Sequence, residues 1–143
     1  MPSFKDKPQL QDCLGALFYT LAHDLAIGPR VQASGLVIRF SYYHPDTFVI
    51  IDCRQNPIGL SWDTEPDLTP EERLKIYVDM SMEADTAHQF WLGKVNLVAA
   101  LTRGIIKAKG PIPAIMKLLP IIKPAFDIYP RILREKGLAE LIG

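Results

Sequence analysis

From Gln9 to Ala26 the apolar residues Leu10, Cys13, Leu14, Leu17, Phe18, Leu21, Ala22 and Leu25 recur at 3.6-residue spacing. This predicts an amphipathic helix closed by Gly28-Pro29. Leu36 to Tyr43 then alternates, with Leu36, Ile38, Phe40 and Tyr42 opposing Val37, Arg39, Ser41 and Tyr43, as in a strand with one buried face. His44-Pro45-Asp46 turns the chain into a second predicted strand, Thr47 to Cys53, and Asn56-Pro57 turns it into a third, Ile58 to Trp62. Three strands joined by short turns predict an antiparallel meander. Asp63 to Arg73 is acidic and holds Pro66 and Pro70, so it reads as a crossover with a helical turn starting at Thr69 and Pro70 at its first position. Alternation resumes over Leu74 to Met82, with Leu74, Ile76, Val78, Met80 and Met82 on one face. A short helix over Thr86 to Leu92 opens at Ala84 or Asp85 and halts at Gly93, and Ile105 to Lys109 reads as a basic fifth strand ended by Gly110.

Pro111 to Leu141 has helical composition but carries prolines at 111, 113, 120, 124 and 130, which predicts two or three short helices set at angles. The order helix, three strands, crossover, strand, helix, strand, helices implies one α+β domain over residues 1–143. Its sheet is five-stranded and mostly antiparallel, with helices covering one face. The expected core spans about residues 9–119, followed by a Pro-rich helical segment, 120–143. At 143 residues and 16.1 kDa the chain is long enough to bury a full core without staples.

Composition narrows the function classes. Apolar residues make up 48% against 22% charged, so the surplus of apolar side chains needs a destination: core, membrane, partner or ligand cavity. No stretch approaches the ~20 consecutive apolar residues of a spanning helix, since Ile112 to Ile132 is broken by Lys117, Lys123, Asp127 and four prolines. The N-terminal residues carry acid and proline where a secretory signal carries a basic region and an apolar core. Cys13 and Cys53, 40 residues apart with no CxxC pattern, point to buried reduced thiols rather than a disulfide. A soluble, cytoplasmic protein is expected. Sixteen basic residues balance sixteen acidic ones, which gives no global field for nucleic acid.

An ordered series of short motifs runs through the second half: Ala84-Asp85, Gly93-Lys94, Asn96, Ala99-Ala100, Gly104-Ile105-Ile106-Lys107-Ala108-Lys109-Gly110 and Met116-Lys117-Leu118. In order and spacing this series resembles the sterol carrier protein type 2 family of lipid-binding domains, and the element order above is also that family's. The resemblance spans roughly Leu10 to Leu119, and the Pro-studded segment beyond it departs from the family pattern. It implies a stand-alone, non-enzymatic binder, and possible transfer agent, of a sterol, fatty acid, fatty acyl-coenzyme A or phospholipid. The ligand would occupy an apolar tunnel between sheet and helices.

The residues expected to wall such a tunnel are Ile38, Phe40, Phe48, Ile50, Val78 and Met80 on the sheet and Phe90 and Trp91 on a helix. Ile112, Ile115, Met116, Leu119, Ile122 and Phe126 are expected to form a lid. A stripe of such residues is more often plain core than a ligand wall, and the C-terminal segment serves either as lid or as an interface with another chain. Ile105 and Ile106, neighbours on a strand, cannot both face inward.

The neutral total conceals a dipolar chain. Residues 1–102 hold eight Lys/Arg and thirteen Asp/Glu, a net −5, whereas residues 103–143 hold eight and three, a net +5. Lys107, Lys109, Lys117 and Lys123 are the candidates for docking on an anionic membrane surface or a lipid head group. The alternative is a solvated face that pairs with the acidic half.

Catalytic patterns are lacking. His23, His44 and His88 lie at no metal-ligand spacing, and no nucleophile elbow, phosphate loop or dinucleotide fingerprint is present. Asp63, Glu65 and Asp67 alternate without the glycine and closing glutamate of a calcium loop, so a solvated loop is expected. No catalytic residue, metal or cofactor is assigned. The expected partner is a lipid ligand, with transient membrane contact and a homodimer as further possibilities. The competing readings are an interaction or dimerisation module and an accessory subunit of an acyl-coenzyme A or lipid enzyme.

Overall fold

The computed structural model describes residues 3–143. Helix α1, Lys7–His23, is capped by the Asp6 carboxylate, which accepts the Gln9 N–H at 2.9 Å, and buries Leu10, Cys13, Leu14, Leu17, Phe18 and Leu21. It stops at His23, short of the predicted end. Asp24 Oδ1 accepts the N–H groups of both Ala26 and Ile27 at 2.8 Å and starts a separate short helix, α2, Ile27–Gln32. Gly28-Pro29 therefore lies inside α2 rather than closing α1. Proline is tolerated there because a first-turn N–H has no intrahelical acceptor.

Strands β1, Val37–Tyr43, β2, Thr47–Asp52, and β3, Gly59–Trp62, form the antiparallel meander. Helix α3, Pro70–Lys75, follows Thr69, whose hydroxyl accepts the Glu72 N–H at 3.1 Å while the Glu72 carboxylate accepts the Thr69 N–H at 2.9 Å. Leu74 belongs to this helix and stands 83% exposed, so the predicted start of the fourth strand is too early. Strand β4, Tyr77–Glu83, pairs parallel to β1, and β5, Lys107–Lys109, pairs antiparallel to β4. The sheet order is β3-β2-β1-β4-β5, mixed with one parallel pairing.

Helix α4, Ala84–Trp91, leads to α5, Leu97–Thr102, which the periodicity reading misses. The signal for α5 is Asn96, whose side chain accepts the Ala99 N–H at 2.9 Å ahead of Leu97-Val98-Ala99-Ala100-Leu101. The Pro-rich end forms α6, Ile112–Ile122, α7, Ala125–Glu135, and a 3₁₀ turn, Ala139–Ile142. The break falls at Lys123-Pro124. Pro120 and Pro130 sit inside α6 and α7 without ending them.

Register assigns the faces. Ile38, Phe40 and Tyr42 share a face with Ile51, Val49 and Thr47 of β2 and with Val78, Met80 and Met82 of β4. Helices α1, α4 and α7 close over this face, and the main core lies between them and the sheet. Tyr129 and Leu133 of α7 are fully buried in that core, so the C-terminal segment is an integral part of it. The opposite face is crossed at one end by the connection after β3. Glu65 pairs with Arg39 at 2.6 Å, Arg54 bonds the Asp67 carbonyl at 3.3 Å and Glu72 at 3.1 Å, and Arg73 lies over the Tyr77 ring. Ile50 and Val37, which point to this second face, are buried nonetheless.

Candidate functional site

An apolar cavity of about 100 Å³ lies between the sheet and the helices. Its floor is Ile38, Phe40, Tyr42, Ile51, Leu60, Met80 and Met82, all on the helix-covered face. Phe18, Leu21 and Ala22 of α1, Val31 of α2, Ala87, Phe90 and Trp91 of α4, Leu97 of α5 and Ile106 form the sides. Ile115, Leu118, Leu119 and Ile122 of α6 form the remaining wall. No charged side chain lines the cavity. Aromatic packing stiffens it: Phe18 stacks on Phe40 at 5.9 Å and meets Trp91 edge-on at 5.7 Å, and Phe90 meets Trp91 edge-on at 4.9 Å.

Among the expected wall residues, the structure brings Ile38, Phe40, Met80, Phe90, Trp91, Ile115, Leu119 and Ile122 together around this space. Phe48 and Ile50 are misassigned, because the β1–β2 register places Val49 and Ile51 inward and turns Phe48 and Ile50 to the opposite face. There the Arg39 guanidinium lies 3.7 Å from the Phe48 ring centre. Val78 faces the helices but is packed solid and lines no space. Ile112 and Met116 are half-buried on α6 away from the cavity, and Phe126 packs edge-on against Phe90 at 5.7 Å, behind the wall rather than in it. Ile106 is buried and Ile105 is 49% exposed, but both lie in the bend ahead of β5, so the expected fifth strand, Ile105 to Lys109, starts two residues too early. Tyr42, Ile51, Leu60 and Met82 are the cavity residues of the sheet that were not singled out, although each follows from the register of a named neighbour.

The four candidate docking lysines do not form one patch. Ala108 pairs with Met80 on the inner face, so Lys107 and Lys109 project from the outer face, beside Arg39, Ser41, Phe48, Asp79 and Ser81 in an open polar groove. Lys117 and Lys123 stand exposed on α6 and at its end, in the helix layer. Among the described residues none of the four takes part in an ion pair. Among the described residues, the 3.0 Å pair of Lys136 with Asp12 is the one ion pair joining the basic final segment to the acidic remainder of the chain.

The acidic loop is engaged by the protein itself. Asp63 accepts from the Thr47 hydroxyl at 2.8 Å and the Phe48 N–H at 3.1 Å and pairs with Lys7 at 2.7 Å, while Glu65 is held by Arg39. Among the described residues no group of His, Cys, Asp or Glu is arranged to hold a metal. Cys13 and Cys53 are free and buried, and burial pushes both thiols up to about 11, away from thiolate chemistry. His88 is fully buried, with Nδ1 2.7 Å from the Tyr129 hydroxyl and Nε2 2.6 Å from the Leu141 carbonyl. A carbonyl only accepts, so Nε2 carries the proton and Nδ1 accepts from Tyr129. Lys94 donates to the Ile142 carbonyl at 2.9 Å, a second tie on the same C-terminal turn.

No protein-family model matches the chain, and no curated protein matches it by sequence. Solved structures do match in fold. Sterol carrier protein 2 from Yarrowia lipolytica aligns over 81% of this chain and 88% of its own length, with TM-score 0.56 and 15% identity. Sterol carrier protein domain 2 of Helicoverpa armigera aligns over 80% and 89%, with TM-score 0.56 and 15% identity. The UbiJ-SCP2 ubiquinone synthesis protein aligns over 87% and 95%, with TM-score 0.57 and 17% identity. With its helix-covered mixed sheet, the chain has the fold of the sterol carrier protein 2 domains.

Proposed function

We propose that the chain binds a lipid in the cavity between sheet and helices and carries out no chemistry on it. The observation that carries this reading is the cavity wall itself: side chains from the sheet and from α1, α2, α4, α5 and α6 converge on one apolar, uncharged space. A wall of this kind gains about 0.8 kcal/mol for each CH₂ it removes from water. The fold neighbours support it, two of them being sterol carrier proteins by name.

At about 100 Å³ the cavity is smaller than the roughly 300–1,000 Å³ of sites that enclose a small-molecule ligand. Loading therefore requires a wall to move, and α6 is the wall that moves. It buries only Ile115 and Leu118, against six residues in α1, and it is bounded by Gly110-Pro111 and Lys123-Pro124. Lys117 and Lys123, exposed on α6 and at its end, set that helix against an anionic membrane surface while the lipid exchanges. The likeness to a ubiquinone synthesis protein supports a second reading, in which the lipid is presented to an enzyme rather than moved between membranes.

Uptake of a neutral fluorescent lipid by delipidated protein tests the first reading. Saturable uptake is expected, and Leu119→Glu, which puts a carboxylate in the wall, abolishes it, whereas Lys117→Gln with Lys123→Gln leaves it intact. Absence of saturable uptake of every lipid class by the wild-type chain defeats the proposal. Circular dichroism of Leu119→Glu separates loss of the site from loss of the fold.

A further inference from the structure

The walls of the cavity are not equally closed. On the sheet, Met80 and Met82 of β4 are buried, whereas Ile51 of β2 and Leu60 of β3 are partly exposed, so access rises across the floor toward the β3 edge. The covering layer repeats this gradient. Leu97 of α5 and Ile106 are buried, whereas Val31 of α2 and Leu119 and Ile122 in the last turn of α6 are partly exposed. Helix α2 packs on α6, and its Gln32 side chain donates to the Gln55 carbonyl at 3.2 Å, which ties it to the turn ahead of β3. The cavity thus has a shut end over β4 and an accessible side framed by α2, β3 and the last turn of α6. Trp91 stands at the shut end, because α4 follows β4 directly and packs on β4 and β1. Its buried ring is held edge-on by Phe18 at 5.7 Å and by Phe90 at 4.9 Å, and Phe126 backs Phe90 at 5.7 Å. A large ring braced in this way yields little.

We propose that an amphiphile enters this cavity tail first from the accessible side, and that Trp91 is the stop against which the end of its hydrocarbon chain rests. Trp91 then determines the length of chain that fits. The proposal rests on the reading of the cavity as a lipid site and adds a direction and a specificity-determining residue to it. The shut end has little to offer a polar head. Met80, Met82, Leu97 and Ile106 carry no strong hydrogen-bonding group, and Trp91 carries a single N–H. No charged side chain lines the cavity, so a carboxylate or phosphate carried inward would be buried without a cation. The accessible side suits such a head. Arg30 adjoins Val31 on α2 and Lys123 follows Ile122 at the end of α6, and both are exposed. Among the described residues neither takes part in an ion pair. Each further methylene that leaves water tightens binding about fourfold until the chain meets Trp91, and carbons beyond that length gain nothing.

Trp62 does not line the cavity, and its replacement by phenylalanine leaves Trp91 as the single tryptophan. In Trp62→Phe, ω-bromododecanoate is expected to quench Trp91 at least about threefold more than α-bromododecanoate at equal occupancy, because bromine quenches only near contact distance. Displacement of a neutral fluorescent apolar probe fixes the occupancy. Equal or stronger quenching by the α-bromo compound overturns tail-first binding, and displacement without quenching by either overturns the place of Trp91. Both results leave the cavity reading standing. A second arm measures straight-chain carboxylates from octanoate to octadecanoate. Affinity is expected to rise with length to a plateau, and Trp91→Ala to move that plateau longer by about two to four carbons. Trp91→Leu, gentler on the fold, is expected to move it in the same direction. Leu60→Ala, on the accessible side, is expected to weaken the whole series without moving the plateau. An unmoved plateau in a Trp91 variant that is folded by circular dichroism overturns the stop. If the probe binds the wild type and no carboxylate displaces it, this proposal fails alone. If the probe does not bind saturably, the cavity reading fails and this one with it.

Discussion

His88 shows how much can hang on one side chain. It joins α4 to α7 through Tyr129 and to the C-terminal turn through Leu141. Its replacement by phenylalanine strands a buried hydroxyl and a carbonyl, and is expected to destabilise the protein by about 2–4 kcal/mol in denaturant unfolding. Burial holds its pKa below the ordinary 6.5, against the opposing pull of the Leu141 carbonyl. Below pH 6.5 the unfolded chain therefore takes up a proton that the folded chain refuses, so stability is full above that pH and declines as pH falls toward the depressed value. His44 works in the other direction: its bond to Glu83 raises its pKa, and the stability it adds is present below 6.5 and lost as pH rises through the raised value. In a His44→Gln background the melting temperature is expected to fall steadily from pH 7 to pH 5, and adding His88→Phe should flatten that slope. A slope that persists without His88 refutes the assignment. Nothing in the sequence around residue 88 signals this role, because its partners lie 41 and 53 residues away. The Tyr42 hydroxyl, buried without a hydrogen-bond partner, is hidden in the same way: its face is legible from alternation, but the missing partner is a property of everything packed around it.

For whole elements the sequence was legible wherever a local rule applied. The 3.6-residue stripe of α1, the alternation of β1 and the Thr69-Pro70 start of α3 each follow from neighbouring residues. The face of β2 does not, since Phe48 and Ile50 are as apolar as Val49 and Ile51, and only the register across the turn to β1 decides between them. Helix α5, six residues long, was too short to show a period. Gly110, which ends β5, illustrates a sequence motif with a mechanical reason. It has φ +111, and a Cβ there would collide with the Tyr77 carbonyl oxygen of β4. Gly110→Ala is expected to cost about 2 kcal/mol or more and to loosen the β4–β5 edge, visible as faster amide exchange at Lys107–Lys109. Unchanged exchange there would show that the edge does not depend on that close approach. Helix α6 poses the complementary case. If it is the wall that yields, its amides exchange faster than those of α1 in the ligand-free protein, and lipid loading slows α6 more than α1. Equal protection in both states would locate the entry elsewhere.

At the scale of the whole molecule, the uneven charge of the chain acquires a position in space. The acidic first 102 residues do not neutralise the basic remainder, since Lys136 with Asp12 is the one ion pair joining them among the described residues. The candidate docking lysines divide between the outer sheet face, with Lys107 and Lys109, and α6 with its end, with Lys117 and Lys123. A flat membrane cannot meet both, because β5 presents its lysines away from the helix layer. The proposed cavity wall and lysines 117 and 123 share α6, so contact with a membrane through that helix places the lipid surface next to the element that must move. Each lysine near an anionic surface contributes about 1 kcal/mol. Lys117→Gln with Lys123→Gln is therefore expected to weaken binding to phosphatidylserine-containing vesicles by about 10- to 30-fold in a sedimentation assay, with raised salt removing most of the wild-type advantage. Lys107→Gln with Lys109→Gln is expected to change vesicle binding by less than about twofold. The reverse ranking would assign the docking surface to the outer face of the sheet and separate it from the lipid's way in.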